Sequence, residues 1–542
     1  MPGGTSPGED RIFAAELIAA LSLATDLAVG FDFEHGLRST LVAARLAESL
    51  GVDRETAAQT YYACLLQQVG ATADLHVRAE ILGDTQSAVK NHLMPVWYGE
   101  PRQQLVALVS AVAPDAPPWV RAVEITRKVP RAMRVMPQAD LACREVCPMY
   151  VESFRLPAAV GALFEYIDER WDGKGALGAK GDEIPLAIRI AHVAQDIDAQ
   201  RVLGGPELAA RVVGERAGKA FDPEVAARFA DQAKEMLAVD DEASVWDQTL
   251  ASEPNPRSSL EGAAIDRALS AMGNFADLVS PYLAGHSAGV AELASAAAQR
   301  CGVDPDGVTA VRRSAFVHDV GRVAVAIPIW HKEGPLTAGE WERVRLHPYY
   351  SERVLSRSPF LNGLAPVATA HHERLDGSGY HRGAVAATLT PPARLLAAAD
   401  AYHAMTEPRP HRPALAPELA AEILGEEVRA GRLDPEAVAA VLAAAGQAVP
   451  RIERPAGLTD REAEVVGLLA RGLQTKQVAN ALGIAVKTAD THVQHAYRKI
   501  GVSTRAAATL FDAARPRGIG RTPDRPPRHP LVASSHRRRA DR

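Results

Sequence analysis

The chain has 542 residues, 47% of them hydrophobic and 23% charged, with a formal net charge of −6; that length is too great for one core and sets an expectation of about three domains. The ordinary composition excludes a disordered chain, no apolar run is long enough for a transmembrane helix, and MPGGTSPGEDRIFAAELIAAL lacks the layout of a secretion signal. Four scattered cysteines, Cys64, Cys143, Cys147 and Cys301, form no CxxC pair, which excludes a disulfide framework or thiolate zinc site and leads us to expect a reducing, cytoplasmic setting.

In chain order, residues 1–240 are rich in Ala and Leu, with apolar positions at helical spacing, as in LVAARLAESL. DEASVWDQTLASEPNPRS at 241–258 carries turn formers and prolines and marks a boundary. A second helical stretch containing GVAELASAAAQRCGV occupies 258–445, and GQAVPRIERPAG at 446–457 marks another boundary. Residues 456–513 read as a short helical domain. Residues 514–542, with RTPDRPPRHPLVASSHRRRADR, hold too few apolar side chains for a core and are expected to be disordered. Strand-like alternation is scarce, so the expected fold class is all-α: two tandem helical domains followed by a small four-helix domain.

The two large stretches repeat one pattern. EHGLRSTLVAARLAESLGV places His35 32 residues ahead of Gln67, and GHSAGVAELASAAAQRCGV places His286 32 residues ahead of His318. Further on, VCPMY sets Cys147 against His347 of LHPYY, ERWDGKG aligns with ERLDGSG, and IPLAIRIAHVAQD aligns with LTPPARLLAAADA. Alanine-rich helices resemble one another by chance, but equal long spacing plus a shared ER-DG-G loop indicates duplication.

What differs between the copies is metal chemistry. The second holds His286, His318, Asp319, His347, His371, His372 and Asp400; the first has His35, Gln67, Gln68, Cys147, Ile167, Asp168 and Gln195 at those places. Imidazole nitrogens and carboxylate oxygens are the donors that divalent transition metals take. Adjacent His318 and Asp319 allow the histidine to hold one ion while the carboxylate bridges to a second, and two such ions activate water and clamp a phosphate. The first copy is expected to bind no comparable cluster.

Residues 270–445 resemble an HD-GYP domain of the HD phosphohydrolase superfamily. The resemblance rests on GHS at 285, HDVGR at 318, IPIWHKEGPLTAGEWERVRLHP from 327, HHERLDGSGYHRG from 371 and AAADAYHAMTEPRPHRPAL from 397. It implies an all-helical fold holding two or three iron or manganese ions, and hydrolysis of cyclic di-GMP as the usual reaction. By the same resemblance His286, His318, Asp319 and Asp400 hold one metal, and Asp319 bridges to a second held by His347, His371 and His372. His318, Asp319 and Arg322 become the catalytic candidates, with Arg322 in place of a lysine that faces substrate phosphate. Arg322, Asp376, Gly377, Gly379 and Tyr380 become the substrate-binding candidates. The chain departs from the pattern at Gly379-Tyr380-His381, where the family has GYP, and at Tyr282, where three-metal members carry a glutamate, which favours a two-metal site. His331 and His403 fall outside the pattern and read as ordinary polar positions; His381 reads as a solvated loop residue.

The stretch LTDREAEVVGLLARGLQTKQVANALGIAVKTADTHVQHAYRKIGVSTRAAA opens on Thr459 and Glu462, a capping-box pair, and is punctuated by Gly472 and Gly483 at helix-turn-helix intervals. It resembles the LuxR-type (GerE-like) DNA-binding domain. That resemblance places a recognition helix from about Lys487 to Lys499. Residues 458–510 carry seven basic against four acidic side chains, a net of +3. Lys476, Lys487, Thr488, His492, Gln494, Arg498 and Lys499 are the candidate base or phosphate contacts. Asp490 stands where family members commonly have lysine, and a small helical bundle for protein contact is the competing interpretation. The arginine-rich tail either adds salt-sensitive affinity for DNA or only solubilises.

Three functions stay open: a DNA-binding regulator with a working phosphodiesterase, a metal- and nucleotide-binding sensor without turnover, and a phosphohydrolase for another nucleotide. LuxR-type domains usually bind DNA as dimers, so a homodimer is expected. The segment 416–457 is expected to act as a helical linker that couples ligand binding to the output domain.

Overall fold

The computed structural model describes residues 11–239, 243–446 and 458–513; the expected disordered tail at 514–542 and most of the boundary at 446–457 lie outside the described residues. The fold is all-α. Each copy opens with a three-residue strand, Arg11–Phe13 and Ser259–Glu261, and these pair with each other antiparallel, with Ile12 opposite Leu260. The duplication is therefore clasped through equivalent segments.

From there the helices run in parallel order. Ala14–Val29 corresponds to Ala263–Asp277, His35–Ser49 to His286–Arg300, and Arg54–Leu66 to Pro305–Val317. The last pair starts at equivalent carboxylates: Asp53 accepts from the Thr56 amide at 2.9 Å and Asp304 from the Gly307 amide at 2.9 Å. Each cap satisfies a backbone donor that has no partner inside the helix. A 3₁₀ turn follows in both copies, Val69–Asp74 and Val320–Ala324. Later, Leu186–Arg216 and Pro223–Leu237 answer to Pro391–Thr406 and Pro435–Ala445. The copies diverge between these points, where the first has a 36-residue helix, Pro118–Ser153, whose C-terminal end with Cys147 answers to the start of His347–Leu355.

Independent domains on linkers are not what the chain builds. One continuous core takes Leu17, Ile18 and Phe154 from the first copy, Leu269, Met272 and Val320 from the second, and Ala507 and Leu510 from the C-terminal domain. Ala14–Val29 sits at its centre, buried on nearly every side, which is why its sequence is apolar all round rather than along one stripe. Full burial of such side chains contributes about 1.5–3 kcal/mol each. The segment expected as a coupling linker is likewise structural: Pro417–Arg429 and Pro435–Ala445 pack Leu424, Val438 and Val441 into the second copy's own core. An apolar side chain reads the same in sequence whichever partner covers it, so neither feature was visible there.

The C-terminal domain has four helices, Asp460–Ala470, Thr475–Leu482, Val486–Ile500 and Arg505–Ala513, and Thr459 with Glu462 closes its capping box. It is seated on both copies. The Ser503 amide donates to Glu145 Oε1 at 2.9 Å, and Arg505 reaches His76 and the Gly472 carbonyl. Gly472 lies so near Pro281 that a Cβ would stand 2.5 Å from the proline Cβ, so a residue without a side chain is needed there. No described helix is long and apolar enough to cross a membrane.

Candidate metal centre and nucleic-acid interface

Helix ends deliver most of the second copy's cluster. His286 begins the helix His286–Arg300, His318 and Asp319 follow Pro305–Val317, His347 begins His347–Leu355, and His371 and His372 follow Pro359–Ala368; Asp400 comes from within Pro391–Thr406. Six of the seven are almost fully buried, and His372 is partly exposed. The fold thus brings all seven sequence-nominated residues together.

Asp319 divides the cluster. Its Oδ1 lies 3.2 Å from His347 Nε2 and 3.4 Å from His371 Nε2, and its Oδ2 lies 3.3 Å from His318 Nε2 and 3.7 Å from His286 Nε2. Asp400 faces His286 Nε2 at 3.2 Å on one oxygen and His372 Nδ1 at 3.8 Å on the other. Three donor groupings result: His286/His318/Asp400, His318/Asp319/His371 and His347/His371/His372. The buried Nε2 atoms of His286 and His318 and Oδ1 of Asp319 make no aligned hydrogen bond, a costly state unless another group occupies the space between them. Orphaned donor atoms of this type, converging from opposite sides, fit divalent metal ions.

The electrostatics agree. Burial alone would favour neutral His318, but Asp319 and Asp400 outweigh it and push its imidazolium up to about 10. Against the same burial, Arg322 and His318 hold Asp319 well below the usual carboxylate range, and His286 and His318 do so for Asp400. Burial lowers His371 and His372, keeping those imidazoles neutral.

Several nominated residues have other duties. Arg322 is buried, its Nη2 2.5 Å from Asp319 Oδ2 and its guanidinium over Trp330; it is part of the cluster's charge balance rather than a free arm toward substrate. Asp376 is exposed, and its Oδ1 accepts from the amide and hydroxyl of Ser378, so it and Gly377 shape a turn. Gly379 serves close approach: a Cβ there would stand 2.4 Å from the Arg374 amide. Tyr380 does line the site, with its ring 4.7 Å from His372. His381 sits in the loop beside Glu352, and His331 Nε2 bonds Ser280 Oγ at 2.9 Å. His403 is no bystander, since its Nδ1 lies 3.2 Å from His286 Nδ1.

The repeated loop is explained by a residue the sequence did not nominate. Buried Glu373 accepts from the Arg382 and Ala384 amides, both at 2.8 Å, and Glu169 accepts from Leu177 in the first copy. The glutamate of ER-DG-G organises the loop whether or not histidines precede it. Elsewhere the first copy is closed. His35 is held at Nδ1 by Asp198 (2.8 Å) and at Nε2 by Gln195 (3.0 Å), and Gln67 donates to Tyr98. Gln67, Gln68, Ile167 and Asp168 line a cavity of about 60 Å³.

In the C-terminal domain Ala489, Val493 and Ala496 bury one face of Val486–Ile500. Lys487, Thr488, Asp490, Gln494 and Arg498 stay exposed, as does Lys476 on the preceding helix, while His492 is half-buried. Lys499 differs from expectation: its Nζ is 2.7 Å from Glu462 Oε2, a carboxylate already engaged in the helix cap, so its charge serves the fold.

A family model for the HD domain matches residues 270–437, and one for bacterial regulatory proteins of the luxR family matches 456–511. The chain is 27% identical over 437 residues to 3'3'-cGAMP-specific phosphodiesterase 3 of Vibrio cholerae serotype O1, covering 79% of this chain and 93% of that protein. It is 33% identical over 156 residues to the cyclic di-GMP phosphodiesterase response regulator RpfG of Xanthomonas campestris pv. campestris, covering 28% of this chain and 41% of that one. A crystal structure of a cyclic GMP-AMP specific phosphodiesterase of V. cholerae superposes with a TM-score of 0.55 at 24% identity, covering 81% of this chain and 99% of the other; it shows a shared fold. The chain carries an HD domain and a C-terminal LuxR-type domain.

Proposed function

We propose that this HD-domain chain with a LuxR-type output module is a DNA-binding transcriptional regulator that hydrolyses a cyclic dinucleotide at a two-metal site in its second copy. His286, His318, Asp319 and Asp400 would hold one ion, and Asp319, His347, His371 and His372 the other. When bound, the ions supply Lewis-acid polarisation of phosphoryl oxygens and positive charge against the developing negative charge. The chain's own residues set the stage. Asp319 presents one oxygen to each side of the cluster, Arg322 adds a fixed positive charge beside it, and Tyr380 walls the His372 side. The outward face of Val486–Ile500, with Lys487, Thr488, Gln494 and Arg498, enters the major groove, and two copies of the chain read two half-sites. The cytoplasm, where free buried Cys64 and Cys147 stay reduced, is the compartment this function requires.

The observation that carries the reading is the convergence of imidazole nitrogens and carboxylate oxygens from five separate segments, with the buried Nε2 atoms of His286 and His318 and both oxygens of Asp319 making no aligned hydrogen bond. Relatives with the same HD domain include phosphodiesterases named for 3'3'-cGAMP and for cyclic di-GMP, so both are the substrates to try. The test is turnover of each by full-length protein purified anaerobically and loaded with Fe(II) or Mn(II), beside His318→Ala/Asp319→Ala. Linear dinucleotide is expected from the intact chain only, with metal lost from the double variant. One observation favours a second reading: the Arg322 guanidinium already neutralises Asp319 Oδ2. Metal bound with no turnover of either dinucleotide would establish that reading, a sensor without catalysis.

A further inference from the structure

For a buried histidine to aim a bare Nε2 at a metal, its Nδ1 must keep the proton and find an acceptor. Three cluster histidines do this identically: Nδ1 of His318, His347 and His371 each lies 2.7 Å from the backbone carbonyl three residues earlier, at Ala315, Val344 and Ala368. Each follows a helical segment that supplies that carbonyl. His286 differs: Ala284 and Gly285, the latter in the left-handed region, separate it from the short 3₁₀ turn Pro281–Leu283. Its Nδ1 faces Glu407 Oε2 at 2.9 Å instead.

Glu407 is itself fixed. Arg409 Nη2 lies 3.1 Å from the same carboxylate oxygen, and Arg409 Nη1 donates to the Tyr282 carbonyl at 2.8 Å. On the other side, His403 sits one helical turn before Glu407, its Nδ1 3.5 Å from Oε2. The His403 ring is wedged against Gly289, where a Cβ would come within 2.0 Å of its Nε2. A mid-helix glycine costs about 0.5–1 kcal/mol relative to alanine, and here it makes room for that ring. The first copy keeps the same device without a metal cluster: Asp198, three residues after Gln195, holds His35 Nδ1 at 2.8 Å. In the second copy the corresponding place, three residues after Asp400, is His403, and the carboxylate comes from one turn later.

We infer that Glu407 is a positioning residue for the metal centre: braced by Arg409 and flanked by His403, it accepts the Nδ1–H of His286 and thereby aims Nε2 at Asp319 and Asp400. Carboxylate partners of this kind orient metal-binding histidines and raise their basicity. His286, His403 and Glu407 also lie close enough together to hold a cation themselves. That would require His286 to bind metal through both ring nitrogens, with the Arg409 charge 3.1 Å from the shared carboxylate oxygen, so the positioning role fits better.

The inference rests on the metal reading above, and the experiment separates the two. Mn(II) binding to the full-length chain is titrated calorimetrically, with ions counted at saturation, for wild type, Glu407→Ala, Glu407→Gln, Gly289→Ala and His286→Ala; thermal melts check folding. Glu407→Ala should weaken one Mn(II) by roughly 10–100-fold at an unchanged ion count, and Glu407→Gln, whose amide oxygen still accepts a hydrogen bond, should recover most of that loss. Gly289→Ala, which favours the helix but displaces His403, should lose affinity without losing stability. Unchanged affinity in Glu407→Ala while His286→Ala loses the ion would overturn the inference alone. So would a count one ion lower in Glu407→Ala, which makes Glu407 a ligand. No Mn(II) bound by wild type would overturn the metal reading and this inference together.

Discussion

His35 and His286 occupy the same place in the two copies, each beginning the second helix of its copy, each with a carboxylate on Nδ1. They part at Nε2. In the first copy Gln195 bonds that nitrogen at 3.0 Å, whereas in the second it stands orphaned between Asp319 and Asp400. Replacing Asp400 by its counterpart Gln195 turns a site that waits for an ion into one that satisfies itself. Unpaired buried polar groups cost about 1–3 kcal/mol each, so the second copy has retained arrangements that the first relaxed. The lesson is that the copy without the metal set satisfies its own polar groups, while Glu169 and Glu373 brace the same loop in both.

The comparison is most directly broken by exchanging the insult. His286→Ala should remove one of the two ions and abolish turnover. His35→Ala should leave the metal content untouched and instead cost about 3 kcal/mol of stability, because buried Asp198 loses its partner and keeps only Arg201; urea titration and metal analysis of both variants decide. If His35→Ala emptied the metal site, the copies would be coupled in a way the closed first site does not provide. A smaller effect should be common to both copies. Gly175→Ala and Gly379→Ala would each drive a Cβ to about the same distance, 2.6 Å from Glu169 Cα and 2.5 Å from Glu373 Cα. Each should cost about 1–3 kcal/mol by displacing the loop, and unequal losses in thermal melts would show that the shared phrase is not equivalent scaffolding.

The smallest expected effect is one of pH. Burial works against charge on His35, but Asp198 and Asp26 raise its pKa above 6.5, so its contribution is complete below that pH and fades as pH rises through the raised value. Asp198, lowered below 3.8 by His35 and Arg201 against burial, contributes above that pH and fades only as pH falls through its lowered value. Asp26, raised by burial to about 8, adds stability that is lost between pH 3.8 and about 8 as pH rises. Stability should therefore decline as pH rises from about 3.8 upward, and His35→Ala should flatten the part of that decline above pH 6.5. A decline of equal steepness in the variant would remove the pair from the explanation.

Much of this was legible because the chain wrote it twice. Equal spacing from His35 to Gln67 and from His286 to His318 exposed the duplication, and the erased positions exposed the ligands. What stayed hidden were relationships without a repeated counterpart. Glu407 holds His286 from within the quoted stretch AAADAYHAMTEPRPHRPAL but at a position the resemblance gives no role, and its traces were only an i,i+4 pair with His403 and a glycine at 289. Arg322 read as a substrate contact because the resemblance puts a basic residue after the HD pair against substrate phosphate, yet two opposite charges three residues apart readily pair. Lys499 read as a phosphate contact because the capping carboxylate of Glu462, 37 residues earlier, gives no sequence sign of reaching it.

The seat of the output module has a further consequence. The helix Arg505–Ala513 rests on Pro118–Ser153 and on the turn Val69–Asp74, the segment just after the Gln67 and Gln68 that replaced the HD pair. The first copy is thus a mounting plate, and the C-terminal module is bolted to the back of the place where Gln67 and Gln68 stand. Cutting the chain at 457 would not free two working halves. It would uncover the apolar ground beneath Ala507 and Leu510 on one piece and strip the other of the surface that buries its last helix. Replacing the output module by recombination would meet the same obstacle, so reading and hydrolysis are inherited as one object.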